Sequence, residues 1–291
     1  MSKYTIIYNK NSRGKKLSKE LLTNILDSNN ISYELFDVTT KKETLSIVNS
    51  AVINSSEYFC SVGGDGSLNY LVNALIKNKH PNPVIACLPA GSGSDFIRTF
   101  GISQNIVQSV KHLATDSTYL IDVGRVEYSS LTEYFINVAN IGFLADTVKK
   151  SELVPNALRK YRYSIGFWSH IIPAKPVLMK LDLDGKQYIG NAFNISICNA
   201  QFFGGGKNIS PKSNLQDGKF NVQIFEVNKS TAMKIFFKAN KGLHLGEKGV
   251  INKLVNKIEI KNPLPIEIDG DYVTKSNAII YNENAKIRFK I

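Results

Sequence analysis

The chain has 291 residues, of which 43% are hydrophobic and 21% charged, so it is not a disordered polymer and is long enough for two domains. Its net charge of +12 predicts an anionic partner, either phosphate-bearing substrates or an anionic membrane surface. The lysines form no dense tract and the basic-aromatic signature of RNA-binding sheets is absent, which argues against nucleic acid.

The cysteines indicate a reducing compartment. Cys60, Cys87 and Cys198 are scattered in apolar runs and lack the spacing of metal ligands. No apolar run approaches 18 residues, and the first residues show no signal peptide. We therefore expect a cytoplasmic protein that associates with membranes only peripherally.

The first third of the chain alternates short apolar runs with helical spacing. Strands are predicted at 4–8, 31–38, 57–62 and 83–88, and helices at 16–28, 43–49, 67–79 and 104–114, with a short helix after Ser94. This alternation predicts a parallel sheet with helices on its faces, and ligands bind such sheets at the C-terminal ends of the strands. Asn9, Asp65 and Gly91 all fall at predicted strand ends, so we expect them to share one crevice.

Beyond residue 119 the pattern becomes that of an antiparallel sheet or sandwich. Helices are predicted at 145–151, 156–172 and 230–241, and strands at 120–128, 133–138, 177–183, 188–198, 219–227, 255–260 and 264–268. Asp184-Gly185 is a hairpin turn between two of these strands. We place an α/β nucleotide-binding domain at 1–122 and a β-rich sandwich-like domain at 123–291, packed with a cleft between them. The final strand, 286–291, is compatible with either domain.

Two glycine-rich turns carry the strongest functional signal. The first comprises Gly63, Gly64, Asp65, Gly66, Ser67, Leu68 and Asn69, and the second begins with Gly91, Ser92 and Gly93. Neither a P-loop nor a GxGxxG motif is present, but glycines followed by a helix N-terminus suit phosphate oxygens. One such turn is equally typical of plain strand–helix connections. A second turn favours a nucleotide site, and the acid suggests a magnesium ion or a proton to be moved.

These turns resemble those of the diacylglycerol kinase catalytic domain family, the lipid kinases that include bacterial diacylglycerol kinases and sphingosine kinases. The resemblance continues in order along nearly the whole chain, through Asn9–Lys15, Asp122-Val123-Gly124, 137–143, Asn199–Gly206, Ser210-Pro211, 215–218 and 268–271. It implies a kinase that transfers the γ-phosphoryl group of ATP to a lipid hydroxyl, with diacylglycerol the first candidate. In this family the nucleotide binds between an α/β domain and a β-sandwich-like domain.

The resemblance also implies roles for individual residues. The nucleotide-binding positions are the residues of both turns, together with Asn9, Lys10, Asn11, Ser12, Arg13, Thr39 and Tyr70. A structural magnesium ion falls on the backbone carbonyls of Asn214 and Lys219 and on the carboxylate of Asp217. Asp271 matches the general base.

The residues themselves support a phosphoryl-transfer site, because that chemistry needs magnesium and a carboxylate to accept the hydroxyl proton. Acids close to glycines include Asp65, Asp122, Asp217, Asp269 and Asp271. We assign Asp65, Asp269 and Asp271 to catalysis and add Asp122 to the metal ligands. On a regular strand Asp269 and Asp271 would face the same side, although Asp269-Gly270, taken alone, is more typical of an ordinary hairpin turn.

Several positions depart from the family pattern. Lys10 replaces proline, Ser67 and Ser92 replace threonine, Ser94 replaces asparagine, Asp271 replaces glutamate, and Asp146 is displaced. Two alternatives therefore stay open, an enzyme like NAD kinase, which shares the Gly-Gly-Asp-Gly turn, and a non-catalytic nucleotide or lipid sensor.

The segment 158–172 combines basic residues with aromatic residues. This composition suits either a membrane interface or a helix packed in the second domain. The resemblance also implies that two copies of the chain pair as a homodimer.

Overall fold

The protein is described by a computed structural model covering residues 3–12, 17–154 and 162–291. The chain forms two compact units. The first comprises Met1–Asp122 together with Asn284–Ile291, and the second comprises Val123–Glu283. The end of the chain thus lies in the first unit, one of the two placements that the sequence analysis left open for the final strand.

The first unit is a parallel α/β fold, which confirms the predicted class. Its sheet has the order β2-β1-β3-β4, with Arg288 and Phe289 of the last strand beside β4, and all of these pairs are parallel. The elements are β1 (Lys3–Asn9), α1 (Lys19–Ser28), β2 (Ser32–Val38), α2 (Lys41–Ile53), β3 (Tyr58–Gly63), α3 (Asp65–Lys77), β4 (Val84–Pro89), α4 (Ile106–Ser109), and 3-10 helices at Phe96–Phe100 and Val110–Ala114.

The apolar spacing of the first unit explains its packing. Helix α1 begins after Ser18, whose hydroxyl caps the amide of Leu21, and it buries Leu22, Ile25 and Leu26. These side chains join a core with the inward residues of β1, β3 and β4. The sheet is therefore rigidly supported beneath the ends of its strands.

The second unit is antiparallel and sandwich-like, as predicted. Its elements are β5 (Thr118–Tyr128), β6 (Leu131–Phe135), β7 (Val138–Gly142), α5 (Phe143–Ser151), α6 (Arg162–Ile171), β8 (Val177–Leu183), β9 (Lys186–Ala192), β10 (Asn194–Cys198), β11 (Phe202–Phe203), β12 (Lys207–Asn208), β13 (Phe220–Phe225), α7 (Lys229–Lys238), a 3-10 helix at Ala239–Lys241, β14 (Val250–Val255), β15 (Lys257–Ile268) and β16 (Asp271–Lys290). Strand β5 begins in the first unit, and β16 ends there.

Strand β15 is central to the strand pairing of this unit. It pairs with β16 along its length, with β8 near its start and with β7 near its end, while β10, β13 and β14 follow beyond β7. The core beneath contains the stacked rings of Phe135 and Phe220, whose centroids are 5.5 Å apart. A second layer is formed around α6 and α7, where the rings of Phe167 and Phe236 stack at 4.2 Å.

Several predicted boundaries are wrong. Helix α3 begins at Asp65 rather than at residue 67, and the helix predicted at 104–114 is split into α4 and a 3-10 turn. The strands predicted at 133–138 and 188–198 are each two strands, whereas 255–260 and 264–268 belong to the single strand β15. Strand β14 and most of β16 were not predicted. The start of the helix predicted at 156–172 lies outside the described residues.

Candidate active site

The two glycine-rich turns lie side by side at the C-terminal edge of the first unit's sheet. Gly63 at the end of β3 pairs with Pro89 at the end of β4. The carbonyl of Gly63 accepts hydrogen bonds from the amides of Ala90 and Gly91 at 2.9 and 3.0 Å. A Cβ on Gly91 would lie 2.3 Å from the Cα of Gly64, so only glycine permits this approach.

Helix α3 starts within the first turn. Gly64 is its N-cap, and the carbonyl of Gly64 accepts from the amides of Ser67 and Leu68. The positive end of the helix dipole therefore lies at the glycines, where it favours phosphate oxygens. Leu68 is fully buried and supports the helix from within the core, so its side chain does not serve the nucleotide.

The carboxylate of Asp65 joins the two turns. One oxygen accepts from the amide of Asp95 at 3.0 Å and the other from the amide of Phe96 at 2.9 Å. Burial of the carboxyl, with Asp95 beside it, raises the pKa of Asp65 above its ordinary value. Asp65 is thus a positioning residue that fixes the second turn against the first.

Asp95 was missed as a site residue. Its side chain is 3% exposed and forms an ion pair with Arg98, with Oδ1 3.4 Å from Nε. The signal in the sequence was an acid directly after the second glycine turn, next to an apolar residue that continues into the core.

The loop after β1 closes over the same edge. Asn9 donates from Nδ2 to the hydroxyl of Ser67 at 2.8 Å, and its Oδ1 accepts from the amide of Asn11. The hydroxyl of Ser12 donates to the carbonyl of Ala90 at 2.9 Å. The structure therefore brings the opening loop to both glycine turns. Arg13, assigned to the nucleotide, lies outside the described residues.

Three further nucleotide candidates have structural partners. Lys10 pairs with Asp37 at 2.8 Å, and this contact raises the pKa of the lysine. Thr39 donates from its amide and hydroxyl to Glu43, the acid of the capping box that begins α2. Asn69 is 5% exposed and accepts from Asn73 within α3.

In the second unit, the turn between β15 and β16 carries the two late acids. Asp269 has a φ of 47° and lies in this turn, so of the two interpretations the hairpin turn is confirmed and the regular strand is not. Both carboxylate oxygens of Asp269 are directed to backbone amides, those of Ile136 at 2.9 Å and of Asn137 and Val138 at 3.0 Å. Asp271 is exposed and opens β16.

The same segment before β7 is held from its other side by Asn199. Its Nδ2 donates to the carbonyl of Ile136 at 2.9 Å, while the amides of Asn199 and Ala200 donate to the carbonyl of Asn137. The start of the 199–206 motif therefore has a structural reason, since it fixes the amides that Asp269 requires.

Replacing Asp269 by asparagine is expected to destabilise the second unit by about 1–3 kcal/mol, because at least one amide loses its charged acceptor. Urea unfolding of the variant measures this loss. Asp116→Asn provides a control at an exposed aspartate. Equal unfolding midpoints for the two variants would contradict the positioning role of Asp269.

Glu267 is a buried acid that the sequence analysis overlooked. It is 1% exposed, with Oε2 2.8 Å from the donating Nδ2 of Asn140 and Oε1 2.5 Å from the amide of Gly270. Burial, reinforced by the charges of Asp269 and Asp271, raises the pKa of Glu267 to about 8. A charged residue inside the apolar run 264–268 was the available signal.

The predicted metal ligands separate into two groups. Asp217 and Asn214 lie on an exposed loop, where Asp217 accepts from the amide of Lys219 at 3.0 Å. A carboxylate together with backbone carbonyls is the kind of donor set that suits a hard cation. Asp122 is fully buried and accepts from the amide of Ala285 at 2.8 Å, so we assign it to the fold instead. Among the described residues, no three acids, histidines or cysteines are grouped as metal ligands.

Comparison with known proteins identifies this arrangement. The profile of the diacylglycerol kinase catalytic domain matches residues 3–126, and that of the YegS C-terminal NAD kinase beta sandwich-like domain matches residues 115–282. The chain belongs to the diacylglycerol kinase family of lipid kinases.

Individual relatives align with nearly the whole of this chain. Diacylglycerol kinase of Bacillus subtilis is 25% identical over 94% of this chain and 90% of its own length. That of Staphylococcus haemolyticus is 27% identical over 95% and 84%. A crystal structure of a diacylglycerol kinase from Bacillus anthracis has the same fold, with a TM-score of 0.72 at 17% identity over 99% of this chain and 96% of that one.

One face of α6 is packed and another is open. Phe167 and Ile171 are buried against α7 and its neighbours, whereas Trp168 is 41% and Ile172 72% exposed. The packed face agrees with the interpretation of segment 158–172 as a helix packed in the second domain, and the membrane interface stays a prediction. Arg159, Lys160 and Tyr161 lie outside the described residues. In the parts of the chain that the structure covers, every helix is too short or too polar to cross a bilayer.

Proposed function

We propose that this kinase transfers the γ-phosphoryl group of ATP to the hydroxyl of a diacylglycerol-like lipid in a magnesium-dependent reaction. The observation that carries the proposal is the pair of glycine-rich turns in the first unit, held together by the carboxylate of Asp65. Backbone amides and a helix N-terminus there are suited to bind the phosphates.

In the reaction, the lipid hydroxyl oxygen bonds to the γ-phosphorus as the bond to the β–γ bridging oxygen breaks, and ADP leaves with that electron pair. The hydroxyl proton passes to the carboxylate of Asp271. A bound magnesium ion would supply positive charge against the phosphates. Asp217 and the carbonyls of Asn214 and Lys219 would hold an ion on their own loop.

The test is incubation with γ-labelled ATP and magnesium in mixed micelles that each contain one lipid alcohol. The panel contains diacylglycerol, phosphatidylglycerol, a sphingoid base and an undecaprenyl-type alcohol, and NAD⁺ is tested without lipid. We expect label in diacylglycerol. Label in NAD⁺ alone would favour the NAD kinase alternative, and ATP binding without any labelled product would favour the sensor.

We further propose that the enzyme works in the cytoplasm at an anionic membrane surface. The net charge of +12 favours anionic leaflets, and the exposed rings of Trp168 and Phe237 suit the lipid interface. Co-sedimentation with vesicles should increase with phosphatidylglycerol content and fall as salt is raised from 0.05 to about 0.5 M, because salt screens the attraction. Binding that changes with neither phosphatidylglycerol content nor salt concentration would contradict the electrostatic part of the proposal.

Pairing of two copies belongs to the same proposal. Val177, Leu178 and Ile189 are exposed apolar residues of the hairpin formed by β8 and β9. Such a surface favours contact with a second copy. Sedimentation velocity measures the oligomeric state directly. A monomer at all concentrations would contradict the pairing of two copies.

A further inference from the structure

A buried polar row crosses three strands of the second unit. In the strand register, Asn140 of β7 lies between Ser196 of β10 and Glu267 of β15. Their neighbours along these strands, such as Ile141 and Ile266, belong to the hydrophobic core. Asn140 and Ser196 are fully buried, and Glu267 is 1% exposed. Burying such a row of polar groups costs stability unless every group is paired, so its presence here indicates a role beyond packing.

The hydrogen bonds of this row have a fixed direction. The amide of Leu144 donates to Oδ1 of Asn194, which leaves the Nδ2 of Asn194 to donate to Oδ1 of Asn140 at 3.1 Å. The hydroxyl of Ser196 donates to the same oxygen at 2.7 Å. Asn140 must therefore present its Nδ2 to Glu267. The row ends on a carboxyl that can only accept from Asn140.

The other oxygen of Glu267 faces the turn that leads to Asp271. This oxygen accepts a hydrogen bond from the amide of Gly270, the residue directly before Asp271. Asp269, on the other side of Gly270, is held by amides of the segment before β7. The turn is thus fixed from both sides, by Asp269 to the segment before β7 and by Glu267 to Asn140.

We propose that Glu267 is a positioning residue for the proton acceptor, using the buried row through Asn140 to fix the turn that presents Asp271. The proposal rests on the proposed function, in which Asp271 accepts the lipid hydroxyl proton. Misplacing a reacting group by about 1 Å can cost about 100-fold in rate, so holding this turn has a direct catalytic value.

The charge of Glu267 is linked to the same turn. Asp269 and Asp271 are the charged groups that act on Glu267. Helix α5 packs on β15, and its Lys149 lies over the ring of Tyr272. Because burial raises the pKa of Glu267 to about 8, the folded state binds a proton more tightly than the unfolded state. Stability from this group is therefore fully present below the ordinary glutamate range and is lost as pH rises through about 8.

The experiment exchanges the two buried partners. In E267Q alone, one hydrogen bond between positions 140 and 267 is lost. In N140D alone, two acids face each other. In the double variant N140D/E267Q, the amide of residue 267 donates to residue 140 and its carbonyl still accepts from Gly270. All other hydrogen bonds of the row are kept, with the polarity of one contact reversed.

We expect each single variant to lower kcat on the lipid by about 10- to 100-fold with an unchanged KM for ATP, and the double variant to recover to within about threefold of the wild type. Between pH 6 and 9 the melting temperature of the wild type should fall more than that of E267Q. A purely structural role would lower melting temperatures without changing kcat per folded molecule.

Either of two results would overturn the inference: a folded E267Q with kcat within twofold of the wild type, or a folded double variant no more active than the weaker single variant. If E267Q does not fold, the comparison of the double variant with N140D decides in the same way. A wild type that labels no lipid would instead defeat the proposed function, so the two failures are distinguishable.

Discussion

Asp271→Asn is expected to lower kcat for lipid phosphorylation by about two to four orders of magnitude, the usual contribution of a general base. Asparagine has nearly the same shape but cannot accept a proton from the lipid hydroxyl. Asp271 is exposed at the start of β16, so the substitution should leave the melting temperature close to that of the wild type. ATP affinity should also be kept, because the glycine-rich turns belong to the first unit.

Asp271→Glu is the matched variant, since it keeps the carboxylate and restores the residue that the family pattern has at this position. We expect it to retain activity within about tenfold of the wild type. Initial rates with saturating ATP and diacylglycerol micelles measure all three proteins. An Asp271→Asn variant with wild-type kcat would show that another group accepts the proton.

The fold class was predictable because its signals are local. Buried parallel strands are short apolar runs, and β1, β3 and β4 each end at a turn residue that the sequence displays. Glycine-rich turns are likewise recognisable from the local sequence. The proposed general base, Asp271, came from resemblance to the family, since Asp269-Gly270-Asp271 alone is more typical of a hairpin turn.

Boundaries in the second unit failed where tertiary pairing overrides local pattern. The predicted strand 188–198 is interrupted at Phe193, whose amide donates to the carbonyl of Phe225 and whose carbonyl accepts from Phe143. Pro263 and Pro265 lie within the single strand β15, whose register against β16 shifts between Ile260 and Leu264. Outside the apolar run 278–281, much of β16 is polar and at least partly exposed, so its pattern gave only a weak strand signal.

The buried network was missed for a different reason. Asn140 and Glu267 are 127 residues apart and become neighbours only through the pairing of β7 with β15. No spacing rule links such residues in a single sequence. The local clue, an acid inside an apolar strand, identifies Glu267 as unusual but does not identify its partner.

Gly91→Ala is expected to abolish measurable ATP binding and to destabilise the first unit by about 1–3 kcal/mol, the usual cost of overpacking. The new Cβ would lie 2.3 Å from the Cα and 2.8 Å from the amide nitrogen of Gly64. Both neighbours are backbone, so the clash cannot be relieved by a side-chain rotation. The two turns must separate, which also strains the contacts of Asp65 with the second turn.

Gly66→Ala is the matched control within the same cradle. A Cβ at Gly66 has no heavy atom within 4 Å, so the fold should tolerate it. Calorimetric titration with ATP and urea unfolding separate the two effects. We expect Gly91→Ala to change both measurements and Gly66→Ala to keep the unfolding midpoint. If Gly66→Ala nevertheless weakens ATP binding, the glycine is needed for close approach of phosphate. Wild-type binding and stability in Gly91→Ala would show that the contact between the turns does not build the nucleotide site.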